Sequence, residues 1–211
     1  MTGNLKPISI LMNYKIKILA VLIAIFTFSA CGETSNDGDV YYAAGQYQEA
    51  IKAYDNVLAT KPKNVKALYN RGRAYEELGE LDQAEKDFIA ALENDTKNIQ
   101  VMLSLSNLYQ KKKNHNSALL YADYAVEVPG APAMAYFLKA RALHQLGNTD
   151  EAYKEYSAAI KMDKEFGQAY FYRGILKLAT NKRKSSACED INMAVKLNFE
   201  AAVEAQEKYC K

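Results

Sequence analysis

Apolar and small residues recur along this chain every three to four positions, the spacing that places them on one face of an α-helix. Within residues 65–77 these positions are Leu68, Gly72, Ala74 and Tyr75, and within residues 82–93 they are Ala84, Phe88, Ala91 and Leu92. Gly79 lies between the two runs, and glycine tolerates the positive φ angle that commonly ends a helix. The pattern therefore predicts a helix, a tight turn and a second helix.

The same unit recurs with a period of 34 residues. Four sets of equivalent positions share this period: Ala50, Ala84, Ala118 and Ala152; Tyr41, Tyr75, Tyr109 and Leu143; Leu68, Met102, Tyr136 and Tyr170; Leu58, Leu92, Val126 and Ile160. One helical hairpin cannot bury its apolar face alone, so neighbouring units stack into a solenoid. The predicted units are residues 38–64, 65–98, 99–132, 133–166 and 167–198, followed by a capping helix at 199–211.

Both ends depart from the repeat. The polar stretch CGETSND at residues 31–37 stands where the first unit should begin, so we expect a tether there and a shortened first helix. In the fifth unit the small residue is shifted by one position, to Ala187. Atypical end units are expected of a solenoid, because its last faces meet water.

The sets of equivalent positions resemble those of the tetratricopeptide repeat family over roughly residues 38–198. The resemblance implies an all-α fold, a right-handed superhelical solenoid of about five helix hairpins with a C-terminal capping helix. It also implies that the first helix of each unit lines a concave groove that binds other proteins.

The resemblance places two lines of residues in that groove. They are Tyr69, Leu103, Phe137 and Phe171, and, one turn further along, Arg73, Asn107 and Arg141. Apolar pockets beside guanidinium and amide groups suit an extended or helical peptide with apolar anchors and at least one carboxylate. The alternative is that superhelical curvature buries the four apolar side chains against neighbouring first helices.

Residues 1–30 have the pattern of a secretory signal, with residues 1–11 as a possible upstream extension. A short basic run, NYKIK, precedes thirteen uncharged residues that are too few to cross a membrane as a helix. Ser29-Ala30-Cys31 resembles a bacterial lipobox, although Phe28 departs from it, and the resemblance implies a lipid on Cys31. Gly32 resembles the signal for outer-membrane sorting, with the periplasmic or surface orientation open. An ordinary signal peptide beside a structural cysteine is the alternative.

Charge and motifs argue against nucleic-acid binding and catalysis. The net charge is +2, and from Cys31 onward 24 basic residues face 25 acidic ones, which gives no electrostatic basis for nucleic-acid binding. The chain has only two histidines and no metal-binding, phosphate-binding or nucleophile motif. We therefore expect no enzyme and no cofactor.

Cysteine positions predict a disulfide between Cys188 and Cys210. If the helix that holds Cys188 ends near Asn198 and an antiparallel helix follows, residues that face each other have numbers that sum to about 398, as these two do. An exported chain would meet an oxidising compartment, which favours the bridge. Two small buried hydrophobic residues are the alternative.

The sequence thus predicts a lipid-anchored adaptor of the bacterial envelope. Its partners would be other envelope proteins or peptides, and its membrane contact would be the lipid. The alternative is a structural or self-associating module without a peptide ligand, which includes homo-oligomers.

Overall fold

The computed structural model describes residues 35–180 and 184–211. The predicted signal segment, residues 1–30, and the predicted lipid site Cys31 lie outside the described residues. Within them the chain forms eleven α-helices and no strand: α1 Ser35–Ala43, α2 Tyr47–Thr60, α3 Val65–Glu77, α4 Leu81–Asn94, α5 Ile99–Lys111, α6 His115–Glu127, α7 Ala133–Gln145, α8 Thr149–Met162, α9 Gly167–Ala179, α10 Lys184–Lys196 and α11 Ala201–Tyr209. None of these helices is long and apolar enough to cross a membrane.

The helices pack as five consecutive hairpins, α1 with α2 through α9 with α10, and α11 packs against α10. Each second helix also packs against the first helix of the next hairpin, while first helices contact one another across units, as α5 does with α7. The first helices therefore share one face, hereafter the inner face. The predicted all-α solenoid of stacked hairpins is confirmed.

Small side chains let the two helices of each hairpin approach closely. The alanines of the 34-residue set, Ala50, Ala84, Ala118 and Ala152, are all completely buried. A small residue on the first helix also faces a ring on the second: a Cβ atom added at Gly72 would lie 2.8 Å from the Phe88 ring. Phe88 is itself fully buried. The interior thus consists of rings that fit over positions where only a small residue has room.

The turn inside each of the first four hairpins contains a residue in the left-handed conformation. Gly45, Gly79 and Gly147 have φ angles of 73°, 77° and 82°, and Lys113 takes the same conformation, with φ 57°, at the equivalent position of the third unit. Between units, the side chains of Asn64 and Asn98 accept hydrogen bonds from the main-chain N–H groups of Ala67 and Val101. These bonds cap the N-termini of α3 and α5.

The first helix is short, as predicted, but it begins inside the segment assigned to the tether. α1 starts at Ser35, so residues 35–37 of the predicted tether are helical. Asp37 in the first turn favours this start, because a carboxylate is stabilised at a helix N-terminus. Asp39 then fixes α1 in place by accepting hydrogen bonds from Tyr54 Oη and Asn70 Nδ2, both at 2.8 Å.

Candidate functional site

The inner face contains a pocket of about 280 Å³ built from three successive first helices, α5, α7 and α9. We call it the groove pocket. It is lined by Gln100, Leu103, Ser104, Asn107, Met134, Phe137, Leu138, Arg141 and Gln168. Four of the seven residues predicted for the peptide groove, Leu103, Asn107, Phe137 and Arg141, thus meet in one place. Its size approaches that of the smaller ligand sites in proteins.

Arg141 supplies the cation of the groove pocket. Its guanidinium carbon lies 5.3 Å from the centre of the Tyr172 ring and 5.9 Å from that of Phe137, so aromatic faces hold the group in position. Among the described residues it forms no ion pair, unlike Arg71 and Arg173, whose guanidinium groups bind carboxylates. The Arg141 side chain can therefore donate to a carboxylate from a ligand.

Arg73 has the same character one unit away from the groove pocket. Its guanidinium carbon lies 4.7 Å above the Tyr42 ring, and within residues 35–180 and 184–211 no carboxylate pairs with it. Both arginines predicted for the groove are thus held by aromatic rings and available to an acidic group.

Phe137 is not an exposed anchor, and that prediction is wrong. Only 1% of its surface is accessible. Its ring lies 4.9 Å from the ring of Phe166, 5.8 Å from Tyr172 and 6.0 Å from Tyr156, measured between centres. The curvature of the solenoid brings α9 against α7 and encloses the ring. Phe137 therefore forms the floor of the groove pocket and belongs to the core.

Tyr69 and Phe171 are half-buried and flank the groove pocket instead of lining it. The hydroxyl of Tyr69 accepts a hydrogen bond from Gln100 Nε2 at 3.0 Å, which joins α3 to the polar edge of the pocket. The Phe171 ring lies 5.2 Å from that of Phe199, in the segment before α11. The C-terminal cap thus covers part of the last predicted anchor.

Sequence reasoning missed one row of the residues that line the groove pocket. Gln100, Met134 and Gln168 line the groove pocket at positions 34 residues apart, so the repeat period contained the signal. They lie one turn before the row that contains Leu103 and Phe137, and a single glutamine on a surface helix does not by itself indicate a binding site. His144, one turn after Arg141, has its pKa lowered by burial. It is therefore neutral at pH 7 and adds no charge near the pocket.

The structure joins Cys188 to Cys210 in a disulfide, with the sulfur atoms 2.03 Å apart and the Cα atoms 5.5 Å apart. The bridge ties the N-terminal half of α10 to the end of α11, at the open end of the last hairpin. Among the described residues, no group of three or more His, Cys, Asp and Glu side chains could hold a metal ion.

Comparison with known proteins adds to this geometry. Two family models described as tetratricopeptide repeat match the chain, one at residues 37–99 and the other at residues 133–166. The matched ranges contain most of α1, all of α2 to α4, and α7 and α8, and the same hairpin geometry continues between and after them.

Solved structures of the same architecture cover most of the chain. A crystal structure of MamA superposes with a TM-score of 0.70 and 23% identity over 78% of this chain and 96% of that one. A structure of YrrB, described as a TPR protein with an unusual peptide-binding site, gives a TM-score of 0.68 and 22% identity over 82% of this chain and 89% of that one. A tetratricopeptide repeat protein from Parabacteroides merdae gives a TM-score of 0.66 and 26% identity over 77% of this chain and 63% of that one. The first two similarities concern the fold alone.

Curated relatives are much longer than the matched segment. Human protein O-mannosyl-transferase TMTC1 is 26% identical over 65% of this chain, and anaphase-promoting complex subunit 3 of Schizosaccharomyces pombe is 23% identical over 78%. The chain spans 16% and 24% of their lengths, so it resembles only a part of each protein. The described part of this chain is therefore a helical solenoid, and it matches models of the tetratricopeptide repeat at residues 37–99 and 133–166.

Proposed function

We propose that this chain is a non-enzymatic adaptor that binds a peptide segment of another protein on its inner face. The observation that carries the proposal is the groove pocket, where an apolar floor of Leu103, Leu138 and Phe137 lies beside Arg141 and Asn107. Proteins with tetratricopeptide repeats generally mediate protein–protein contacts, and YrrB is described as having a peptide-binding site. The chemistry of the pocket suits this role.

The ligand that fits best is a segment with an apolar side chain and a nearby carboxylate. The apolar side chain would contact Leu103 and Met134, and the carboxylate would accept hydrogen bonds from Arg141. Because the guanidinium already lies on two aromatic rings, it loses little further freedom when it binds. Asn107 could donate to a main-chain carbonyl and so orient the peptide.

We further propose that the adaptor is anchored in the bacterial envelope by a lipid on Cys31 and acts on envelope proteins. The support is the short apolar segment that ends in Ser29-Ala30-Cys31. The test is the Cys31→Ser variant, expressed in a bacterium and partitioned between detergent and water. We expect the wild type in the detergent phase and the variant in the aqueous phase. A variant that stays in the detergent phase would exclude this anchor.

The groove is tested with synthetic ten-residue peptides that contain two leucines or phenylalanines and one aspartate, each paired with an asparagine version. Arg141→Ala should weaken binding of the aspartate peptides about tenfold or more, as loss of a charged hydrogen bond does, and should leave the asparagine peptides nearly unchanged. Lys154→Ala, an exposed cation on the opposite helix layer, is the matched control. Equal binding of both peptide sets, or equal effects of both variants, would contradict the proposal.

A further inference from the structure

The third unit lacks an ionic layer that the neighbouring units share. In the second unit Arg71, on the first helix, binds Asp55 and Asp87 on the two adjacent second helices. In the fourth, Lys139 bridges Asp123 and Glu155 at 3.0 and 3.4 Å. In the fifth, Arg173 binds Asp190 and Ser157. The equivalent residues of the third unit are Leu105, Ile89 and Tyr121, so apolar side chains replace a cation and its two partners there.

The outer surface of the third unit is also more apolar than that of the other units. Leu120 on α6 is 45% exposed, whereas Lys52, Lys86 and Lys154 occupy the equivalent positions of three other units. Tyr124, one turn later, is 43% exposed, where the same three units have Asn56, Ala90 and Ala158. A large apolar residue where three repeats have lysine is not required by the fold, and exposed apolar clusters commonly mark contact sites.

A pocket of about 620 Å³ opens on this side of the molecule, between the second helices α4 and α6. We call it the outer pocket. Its lining residues are Ile89, Leu92, Glu93, Thr96, Lys97, Met102, Tyr121, Tyr124, Glu127, Val128 and Pro129. Two of them, Ile89 and Tyr121, are the residues that replace the ionic layer. The volume lies within the range of ligand-binding pockets.

The rim of the outer pocket is acidic. Glu93 and Glu127 are exposed, and neither forms an ion pair with any described residue. They stand at the C-terminal ends of α4 and α6, where the free carbonyl groups of each helix add partial negative charge. Lys97, on the connecting loop, is the single basic residue of the lining. The mouth of the pocket therefore favours a cation beside its apolar walls.

We propose that the outer pocket is a second docking site, which binds a peptide segment of a partner protein with an apolar side chain next to lysine or arginine. The apolar side chain fills the space between Leu92 and Met102. The neighbouring cations lie against Glu93, Glu127 and the face of Tyr124, since aromatic faces attract cations. The proposal does not depend on the groove pocket, which is lined by different residues.

Charge selects this occupant over two others. A fatty acid would bring its carboxylate to a mouth where two unpaired carboxylates, Glu93 and Glu127, outnumber the single cation, Lys97. A second copy of the chain would form a two-fold contact in which each acidic rim faces its own copy, and like charges would be brought together.

The test uses fluorescently labelled ten-residue peptides in which one leucine or phenylalanine is flanked by two lysines, matched to peptides with glutamates in place of the lysines. The double variant Leu120→Lys/Tyr124→Ala restores the residues that the second unit has at these positions. Since both side chains are exposed, its circular dichroism and thermal midpoint should match the wild type. We expect the lysine peptides to bind the wild type, and to bind the variant with an affinity about tenfold lower or weaker still.

Charge variants make the test sharper. The double variant Glu93→Gln/Glu127→Gln should weaken the binding of the lysine peptides and reduce the salt dependence of that binding. The control variant Glu165→Gln, on a different exposed loop, should change neither the affinity nor its salt dependence. Arg141→Ala should leave this binding unchanged, which separates the outer pocket from the groove pocket.

Three results would overturn the proposal. The first is equal binding of lysine and glutamate peptides. The second is a loss of binding in Arg141→Ala instead of in the Leu120→Lys/Tyr124→Ala variant. The third is a concentration-dependent dimer, seen by sedimentation, that the latter variant abolishes, because a second copy would then be the occupant.

Discussion

At the scale of single residues, Phe137 shows how the same side chain can belong to a groove and to the core. Its ring closes the floor of the groove pocket and contacts three other aromatic rings. We expect Phe137→Ala to lower the free energy of unfolding by about 3 to 5 kcal/mol, the usual cost of removing a buried ring. Met134→Ala, on the same helix but 38% exposed, should cost much less. Thermal or urea unfolding decides this, and equal small losses in both variants would place Phe137 at the surface.

The burial of His144 predicts that the stability of the solenoid depends on pH. Burial lowers the pKa of His144, so the folded chain binds this proton less well than the unfolded chain does. As the pH falls below about 6.5, the unfolded state gains a proton that the folded state resists, and stability falls with it. The melting temperature should drop between pH 7 and 5.5, and the drop should be smaller in His144→Gln. An identical drop in both proteins would assign the effect to other groups.

At the scale of elements, the disulfide makes the last helix depend on redox state. The bridge joins residues 22 positions apart, and closing a loop of this length stabilises the folded state by about 3 kcal/mol in the chain-entropy model. We expect the Cys188→Ala/Cys210→Ala variant to lose hydrogen-exchange protection in α10 and α11. Helices α3 to α6 should keep theirs, since units of a solenoid contact only their neighbours. Uptake of an alkylating reagent by both thiols without prior reduction would show that no bridge exists.

The helices themselves could be predicted from the sequence, but some of their relations could not. The 34-residue sets and the turn residues Gly45, Gly79 and Gly147 locate each hairpin, because local spacing alone determines them. The burial of Phe137 depends on the rotation between successive units, which equivalent positions do not specify. The position of α1 against α2 and α3 depends on hydrogen bonds that Asp39 accepts from Tyr54 and Asn70, which are far away in sequence.

At the scale of the whole molecule, two chemically different faces follow from one repeat. Features that the units share, such as the first-helix positions of Asn107 and Arg141, predicted the groove residues. The outer pocket is lined by apolar residues of the third unit that replace the cation and carboxylates of its neighbours. Positions that the units share therefore do not indicate it. An acceptor for acidic segments on one face and for basic segments on the other would let the chain bring two partners together.

Site-specific photo-crosslinking in cells tests most directly whether the inner face binds a peptide segment of another protein. Gln100, exposed at the edge of the groove pocket, is replaced by a photo-reactive phenylalanine analogue, and the same is done at Lys154 on the outer side of the fourth unit. We expect a discrete crosslinked protein from position 100, lost when Arg141→Ala is added, and none from position 154. Crosslinks of equal yield from both positions, or a product at position 100 that Arg141→Ala leaves unchanged, would contradict a peptide-binding inner face.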